Sequence, residues 1–259
     1  NGVTSYGNLI LSPLGGSNII FPNNDLTIYG NLITRGQNAD SWFCPTWNTN
    51  YPLPPTARVA KTITILGSLD IQGGALIWFG NGTIAQDFVV YGDVKVGPNS
   101  ALYVYGGATN QHLSIGGSLI NNGSGITAGG TSTPCKADFS LIPLTFFGNT
   151  SATISNSVNT PLTIFNTVTV NKGTSQATTL TLNIGGTLTT PADNWLTLQN
   201  GTLIYSRTDP GTDFTISQTT PFTIPATAGL NINYPNNASN RNILIGNAAS
   251  STNDLFLNG

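Results

Sequence analysis

The chain has 259 residues with only 8 basic and 10 acidic side chains, for a formal net charge of −2. This balance provides no basic surface for DNA or RNA, so we expect no nucleic-acid partner. No stretch reaches the run of about 18 apolar residues that predicts a membrane-spanning helix, so we expect no membrane insertion. Glutamate and methionine are absent and glycine is abundant, which disfavours a helical protein.

A short motif recurs along the chain. A tyrosine, leucine or glycine precedes a glycine, a small polar residue follows, and an aliphatic residue completes the motif, first as Tyr6-Gly7-Asn8-Leu9. Its glycines lie at positions 7, 30, 67, 92, 117 and 186, and several successive copies are 23 or 25 residues apart. A fixed period of this length is typical of solenoid proteins, in which each repeat stacks on the last.

The residues around each motif alternate between apolar and polar. Apolar side chains at Ile63, Ile65, Leu69 and Ile71 share one parity, and polar side chains occupy the positions between them. Short strands separated by glycine turns, three to a repeat, predict an all-β fold: a parallel, right-handed β-helix or β-solenoid with about 20–25 residues per coil. The glycine is expected at a corner of the coil, where backbone crowds the interior.

Two segments interrupt the pattern within what we interpret as a single solenoid over residues 1–259. Residues 35–60 contain Trp42, Trp47 and several prolines, and residues 124–144 are rich in glycine. Both are predicted to be loop insertions that project from the solenoid.

The two cysteines, Cys44 and Cys135, lie in these two segments. They form no CxxC motif, so a metal site of that kind is not indicated. The sequence is consistent with two separate thiols. It is also consistent with a disulfide between the two loops if the chain is exported.

The repeated motif, together with Phe165–Lys172 and Trp195–Leu203, resembles large secreted parallel β-helix proteins. These are adhesin-like surface proteins of the kind exported by type IX secretion in Bacteroidota. The resemblance implies an extracellular or cell-surface location and a structural or adhesive role without enzymatic activity. The repeat runs to the last residues, so we expect a segment of a longer protein, whose solenoid could continue at its ends or self-associate there.

Some polysaccharide-degrading enzymes also use β-helices, so carbohydrate binding or degradation is the alternative. Asp70 and Lys95 each follow a motif glycine by three residues and should stack on neighbouring coils, with Asp87 and Asp93 nearby. This group could be a catalytic cluster or a surface ion pair, and we favour the ion pair. We expect no catalytic residue, metal or cofactor.

Aromatic residues offer a different kind of site. The large apolar residues that directly precede motif glycines, at outward parity, are Tyr6, Tyr29, Leu66 and Tyr91. Stacked on successive coils, they would form a surface row able to stack on sugar rings, or the tryptophans of segment 35–60 could cover them. The candidate glycan-binding residues are Tyr6, Tyr29, Tyr91, Trp42 and Trp47, with glycans or cell-surface polymers as partners.

Overall fold

The computed structural model confirms the predicted all-β solenoid of parallel strands. It describes residues 4–13, 18–36, 41–46, 59–79, 85–104, 110–123, 137–156, 163–185, 188–191, 193–206, 214–217, 221–233, 243–246 and 255–257. Within these residues, the regular structure consists of short strands, and every strand pairing is parallel.

The strands in chain order are β1 (Ser5–Tyr6), β2 (Leu9–Leu11), β3 (Asn18–Ile20), β4 (Leu26–Ile28), β5 (Leu32–Arg35), β6 (Ser41–Thr46), β7 (Lys61–Ile65), β8 (Leu69–Gln72), β9 (Ala75–Phe79), β10 (Gln86–Val90), β11 (Val94–Val96), β12 (Ala101–Val104), β13 (Gln111–Ile115), β14 (Leu119–Asn121), β15 (Ala137–Phe139), β16 (Leu144–Gly148), β17 (Ala152–Asn156), β18 (Thr163–Phe165), β19 (Val168–Lys172), β20 (Thr179–Ile184), β21 (Leu188–Thr189), β22 (Leu196–Tyr205), β23 (Phe214–Ser217), β24 (Phe222–Ile224), β25 (Ala228–Ile232), β26 (Ile243–Gly246) and β27 (Leu255–Leu257).

Each coil contributes one strand to each of three faces. The first face contains β1, β4, β7, β10, β13, β16 and β19, and the second contains β2, β5, β8, β11, β14, β17 and β20. The third contains β3, β6, β9, β12, β15, β18 and β21. The ten-residue strand β22 pairs with β19 on the first face and with β20 on the second, so it joins these two faces into one sheet.

Columns of apolar side chains fill the interior because alternate residues of every strand point inward. One column on the first face is in register through five coils and is buried throughout: Leu26, Ile63, Phe88, Leu113 and Leu144. Fully burying one such side chain contributes about 1.5–3 kcal/mol, so the stacked columns are the main source of stability.

The five motif glycines from Gly7 to Gly117 stack at the corner between the first and second faces, and the sixth, Gly186, lies outside the described residues. The amide of Gly67 donates to the carbonyl of Gly30 at 2.9 Å, and the amide of Gly92 donates to the carbonyl of Gly67 at 2.8 Å. A Cβ atom built on Gly92 would lie 2.6 Å from Ser68 Oγ and 2.7 Å from the Gly67 carbonyl oxygen. The crowding that requires glycine therefore comes from the preceding coil along the axis, and not from the interior as predicted.

The polar residue after each of these five glycines links successive coils. Its side-chain oxygen accepts a hydrogen bond from a backbone amide of the next coil. These bonds run from Asn31 N to Asn8 Oδ1 (2.8 Å), Ser68 N to Asn31 Oδ1 (2.8 Å), Asp93 N to Ser68 Oγ (3.1 Å), Ser118 N to Asp93 Oδ1 (2.9 Å) and Thr153 N to Ser118 Oγ (3.0 Å). We call this the corner ladder. It explains why asparagine, serine and aspartate alternate here, since each has a short side chain with an acceptor oxygen.

The two predicted insertions each contain a strand of the third face. Strand β6 lies within segment 35–60 and pairs with β3 and β9, and β15 lies within segment 124–144 and pairs with β12 and β18. Phe43 and Phe139 in these strands are buried in the core. Both strands were missed in the sequence because prolines and aromatic residues interrupt the repeated pattern there. Residues 37–40, 47–58 and 124–136 lie outside the described residues.

Candidate functional site

An exposed apolar row runs along the corner beside the stacked glycines. Tyr29, Leu66 and Tyr91 each follow the last inward residue of their first-face strand, and those inward residues pair in register. The side chains are 64%, 42% and 52% exposed, respectively. Neighbouring coils are about 4.8 Å apart, so Tyr29 and Tyr91 lie two coils, or roughly 9.6 Å, from one another along the axis. We call Tyr29, Leu66 and Tyr91 the aromatic row.

The predicted alignment of Tyr6 with this row is wrong. Tyr6 pairs with Ile28 instead of Tyr29, although the amide of Gly30 still bonds to the carbonyl of Gly7 at 2.7 Å. The two-residue strand β1 is therefore one position out of step with the glycine motif. Tyr6 is 37% exposed but does not continue the row.

Phe147 approaches the other end of the row, and the sequence interpretation missed it. Its ring meets the ring of Tyr91 edge to face, with centroids 5.2 Å apart and planes at 88°. Gly116 occupies the intervening coil and carries no side chain, which allows rings two coils apart to touch. Phe147 also directly precedes a glycine, Gly148, so the signal was present in the sequence.

The remaining candidate residues lie elsewhere or outside the described part of the chain. Trp42 and Cys44 belong to strand β6 on the third face, where their backbones pair with Asn18 and Ile20. The backbone of Trp42 is therefore on a different sheet from the aromatic row.

Trp47 and Cys135 fall outside the described residues, so the predicted glycan contact of Trp47 and the two thiol alternatives stay predictions.

Hydrogen-bonding groups flank the aromatic row on both sides. On the first face, a column of mostly hydroxyl side chains is in register with itself from coil to coil: Thr27, Thr64, Val89, Ser114, Thr145, Thr169 and Thr197. On the other side runs the corner ladder, where Asp93 Oδ2 lies 3.5 Å from Lys95 Nζ. The row is therefore an apolar strip between a hydroxyl column and the polar side chains of the corner ladder.

The favoured prediction of a cross-coil ion pair between Asp70 and Lys95 is wrong, and these side chains do not form the alternative catalytic cluster either. Asp70 and Lys95 are in register as expected, but Lys95 forms its ion pair with Asp93 of its own coil. Asp70 Oδ2 instead accepts a hydrogen bond from Gln72 Nε2 at 2.5 Å. An ion pair this exposed contributes about 0–1 kcal/mol and offers no water-excluded site for acid–base chemistry.

Asp87 and His112 form a second exposed contact, on the first face. His112 Nδ1 lies 3.0 Å from Asp87 Oδ1, and both side chains are about half exposed. Across the described ranges, no group of three histidine, cysteine or acidic side chains comes together that could hold a metal ion.

A buried lysine supports the end of the aromatic row. Lys172 Nζ donates hydrogen bonds of 2.6 Å to the carbonyl oxygens of Gly116 and Phe147, the two residues that follow Tyr91 along the corner. Burial lowers the pKa of Lys172 from its ordinary value. In the sequence, Lys172 has the same inward parity as Val168 and Val170. This signal alone does not place Lys172 in the interior, because lysines are seldom buried without a partner.

Comparison with protein families, curated proteins and solved structures finds no match for this chain. In the part of the chain that the structure describes, no helix has the length and apolar character needed to cross a membrane.

Proposed function

We propose that this chain is a non-enzymatic structural and adhesive β-solenoid, part of an extracellular adhesin, stalk or filament at the cell surface. The observation that carries the proposal is the axial continuity of the corner. Backbone bonds between motif glycines and the corner ladder both connect the same successive coils. Bonds that all run along one axis, over columns of buried apolar side chains, make a stiff rod.

The composition supports a surface location. Asparagine, threonine, serine and glycine take the place of charged residues on the outside of the rod, and only 7% of all residues are charged. The resemblance to secreted β-helix surface proteins supports the same location and suggests type IX secretion as the route.

The proposal is tested on the source cells by surface proteolysis, denaturing gel and peptide mapping. We expect peptides of this chain to be released from intact cells and to map to a band well above 27.0 kDa. Peptides that appear only after lysis would contradict the surface location. A surface band of 27.0 kDa would contradict membership in a longer fibre.

A polysaccharide-binding or polysaccharide-degrading protein is the second candidate, and the exposed aromatic row favours its binding form. Turnover of neutral and anionic polysaccharides, with and without Ca²⁺, separates the two forms. Activity that is lost in Asp70→Ala and Lys95→Ala would establish a degrading enzyme and contradict the non-enzymatic proposal.

A further inference from the structure

We propose that the aromatic row is a binding site for an uncharged, extended, β-1,4-linked glycan that lies parallel to the solenoid axis. The proposal rests on the adhesive function above and names the ligand class and the surface that would carry it. Three independent features of the corner support it: the spacing of the rings, the groups that flank them and the balance of charge.

The spacing matches the repeat of a flat glycan. Tyr29 and Tyr91 are separated by two coils, or roughly 9.6 Å, because the interstrand distance sets the rise per coil. In an extended β-1,4-linked chain, the sugar rings alternate in orientation, and every second ring presents the same face at close to this interval. Tyr29 and Tyr91 can therefore stack on alternate sugars while Leu66 contacts the sugar between them. An α-1,4-linked chain curves and cannot follow a straight row.

The flanking groups suit the rim of a sugar ring. A pyranose has apolar faces and hydroxyl groups around its edge, so its site needs an apolar strip with polar groups on both sides. On one side of the row, the hydroxyl column contributes Thr27 beside Tyr29 and Thr64 beside Leu66, and its member beside Tyr91 is Val89. The Asp93 carboxylate and the Lys95 ammonium lie on the other side.

The balance of charge favours a neutral ligand. Two carboxylates, Asp70 and Asp93, and one ammonium, Lys95, lie beside the row, with 3.5 Å between Lys95 Nζ and Asp93 Oδ2, so the corner has no excess of positive charge there. An acidic glycan would need an excess of basic groups along the row, and none of the three row positions is charged.

The structure also limits the length of the site. At its far end, Phe147 meets Tyr91 edge to face and does not continue a flat platform. At its near end, Tyr6 is out of step with Tyr29. Between these ends, the part of the row from Tyr29 to Tyr91 is in register over three coils, so we expect about three sugar rings to be held. Phe147 is a positioning residue that fixes the ring of Tyr91.

The test is a calorimetric titration of the full chain with cellohexaose, with maltohexaose as the α-linked control and hexagalacturonate as the acidic control. We expect cellohexaose to bind more tightly than either control. Tyr29→Ala and Tyr91→Ala should each weaken binding about tenfold, the usual scale of one aromatic stacking contact together with its buried area. Tyr29→Phe and Tyr91→Phe keep the ring and should bind more tightly than the alanine variants.

Ile20→Ala is the matched control, because Ile20 is an exposed apolar residue that lies in β3 on the third face, on a different sheet from the row. Leu66→Asp places a charge in the middle of the strip at an exposed position and should abolish binding without unfolding the chain, which a thermal melt checks. The proposal is overturned if cellohexaose does not bind or if maltohexaose or hexagalacturonate binds as tightly. It is also overturned if the row variants lose no more affinity for cellohexaose than Ile20→Ala does. A folded, surface-located protein with any of these results would leave the scaffold proposal standing.

Discussion

The same corner of the solenoid is built in two ways along its length. From Gly30 to Gly117 it is tight: glycines stack amide to carbonyl, and the corner ladder links each coil to the next. Beyond Gly117 the corner is wider, because the chain takes more residues to pass from the first face to the second. Ile115 pairs with Phe146 and Leu119 pairs with Ile154, so the longer segment from Phe146 to Ile154 replaces the segment from Ile115 to Leu119 of the preceding coil.

The wide corner is formed by different structural features from the tight one. Gly148, Gly173 and Gly201 adopt positive φ values of 87°, 70° and 83°, so glycine is required there by backbone conformation. The motif glycines between Gly30 and Gly117 have no positive φ and are required by close stacking instead. The buried ammonium of Lys172 occupies the interior of the wide corner. A repeat can therefore keep its register on the flat faces while its corners change in construction.

The largest loss of stability is expected when Lys172, which belongs to the wide corner, is replaced. Lys172→Ala leaves the carbonyls of Gly116 and Phe147 without these donors and opens a cavity, so we expect a loss of about 3–5 kcal/mol in the free energy of unfolding. Lys172→Met restores the volume but not the hydrogen bonds and should lose about 1–3 kcal/mol. Urea denaturation measures both, and equal losses in the two variants would contradict a role for the volume of the side chain.

A smaller effect should follow a methyl group added at the tight corner. Gly92→Ala places its Cβ against the Gly67 carbonyl and Ser68 Oγ, and the resulting overpacking should cost about 1–3 kcal/mol of unfolding free energy. Gly7→Ala is the matched control, because a Cβ built on Gly7 meets no atom within 4 Å. The same denaturation experiment compares them. If the two variants were equally stable, close stacking between coils would not be the reason for the motif glycine.

The sequence predicts the tight region better than the wide one. Alternation and the glycine motif are sufficient to assign the fold and to place Tyr29, Leu66 and Tyr91 on the outside, because both signals repeat from coil to coil. The contact between Tyr91 and Phe147 depends on register across Gly116, which one strand does not reveal. The sequence also gives no reason to bury Lys172, since that requires knowing that the corner opens and presents two carbonyl groups.

The corner ladder provides the next test. Ser118 is its last described acceptor before the corner widens, and its Oγ receives the amide of Thr153. Ser118→Ala should destabilise the chain by about 1 kcal/mol, the usual net value of one hydrogen bond. Ser155→Ala is the control, because Ser155 lies within strand β17 and is not one of the ladder acceptors. A loss in Ser118→Ala no greater than that in Ser155→Ala would show that the ladder accompanies the stacking of coils without stabilising it.

The smallest expected difference is in pH dependence, because the two carbonyls that accept from Lys172 oppose the effect of burial. Desolvation lowers the pKa of Lys172 in the folded chain, so between this pKa and the ordinary value of 10.5 the unfolded chain binds more protons. Stability then rises with pH across that window, and the cost of the buried charge is fully present only below the folded pKa.

The measurement compares the original chain with Lys172→Met, in which the contributions of all other titrating groups cancel. The stability of the original chain, relative to the variant, should increase as the pH rises toward 10.5. A relative stability that is constant as the pH approaches 10.5 and falls above it would mean that the two carbonyls outweigh desolvation and raise the pKa. In that case Lys172 would hold the wide corner together mainly through its charge, as the glycines and short polar side chains hold the tight corner through their size.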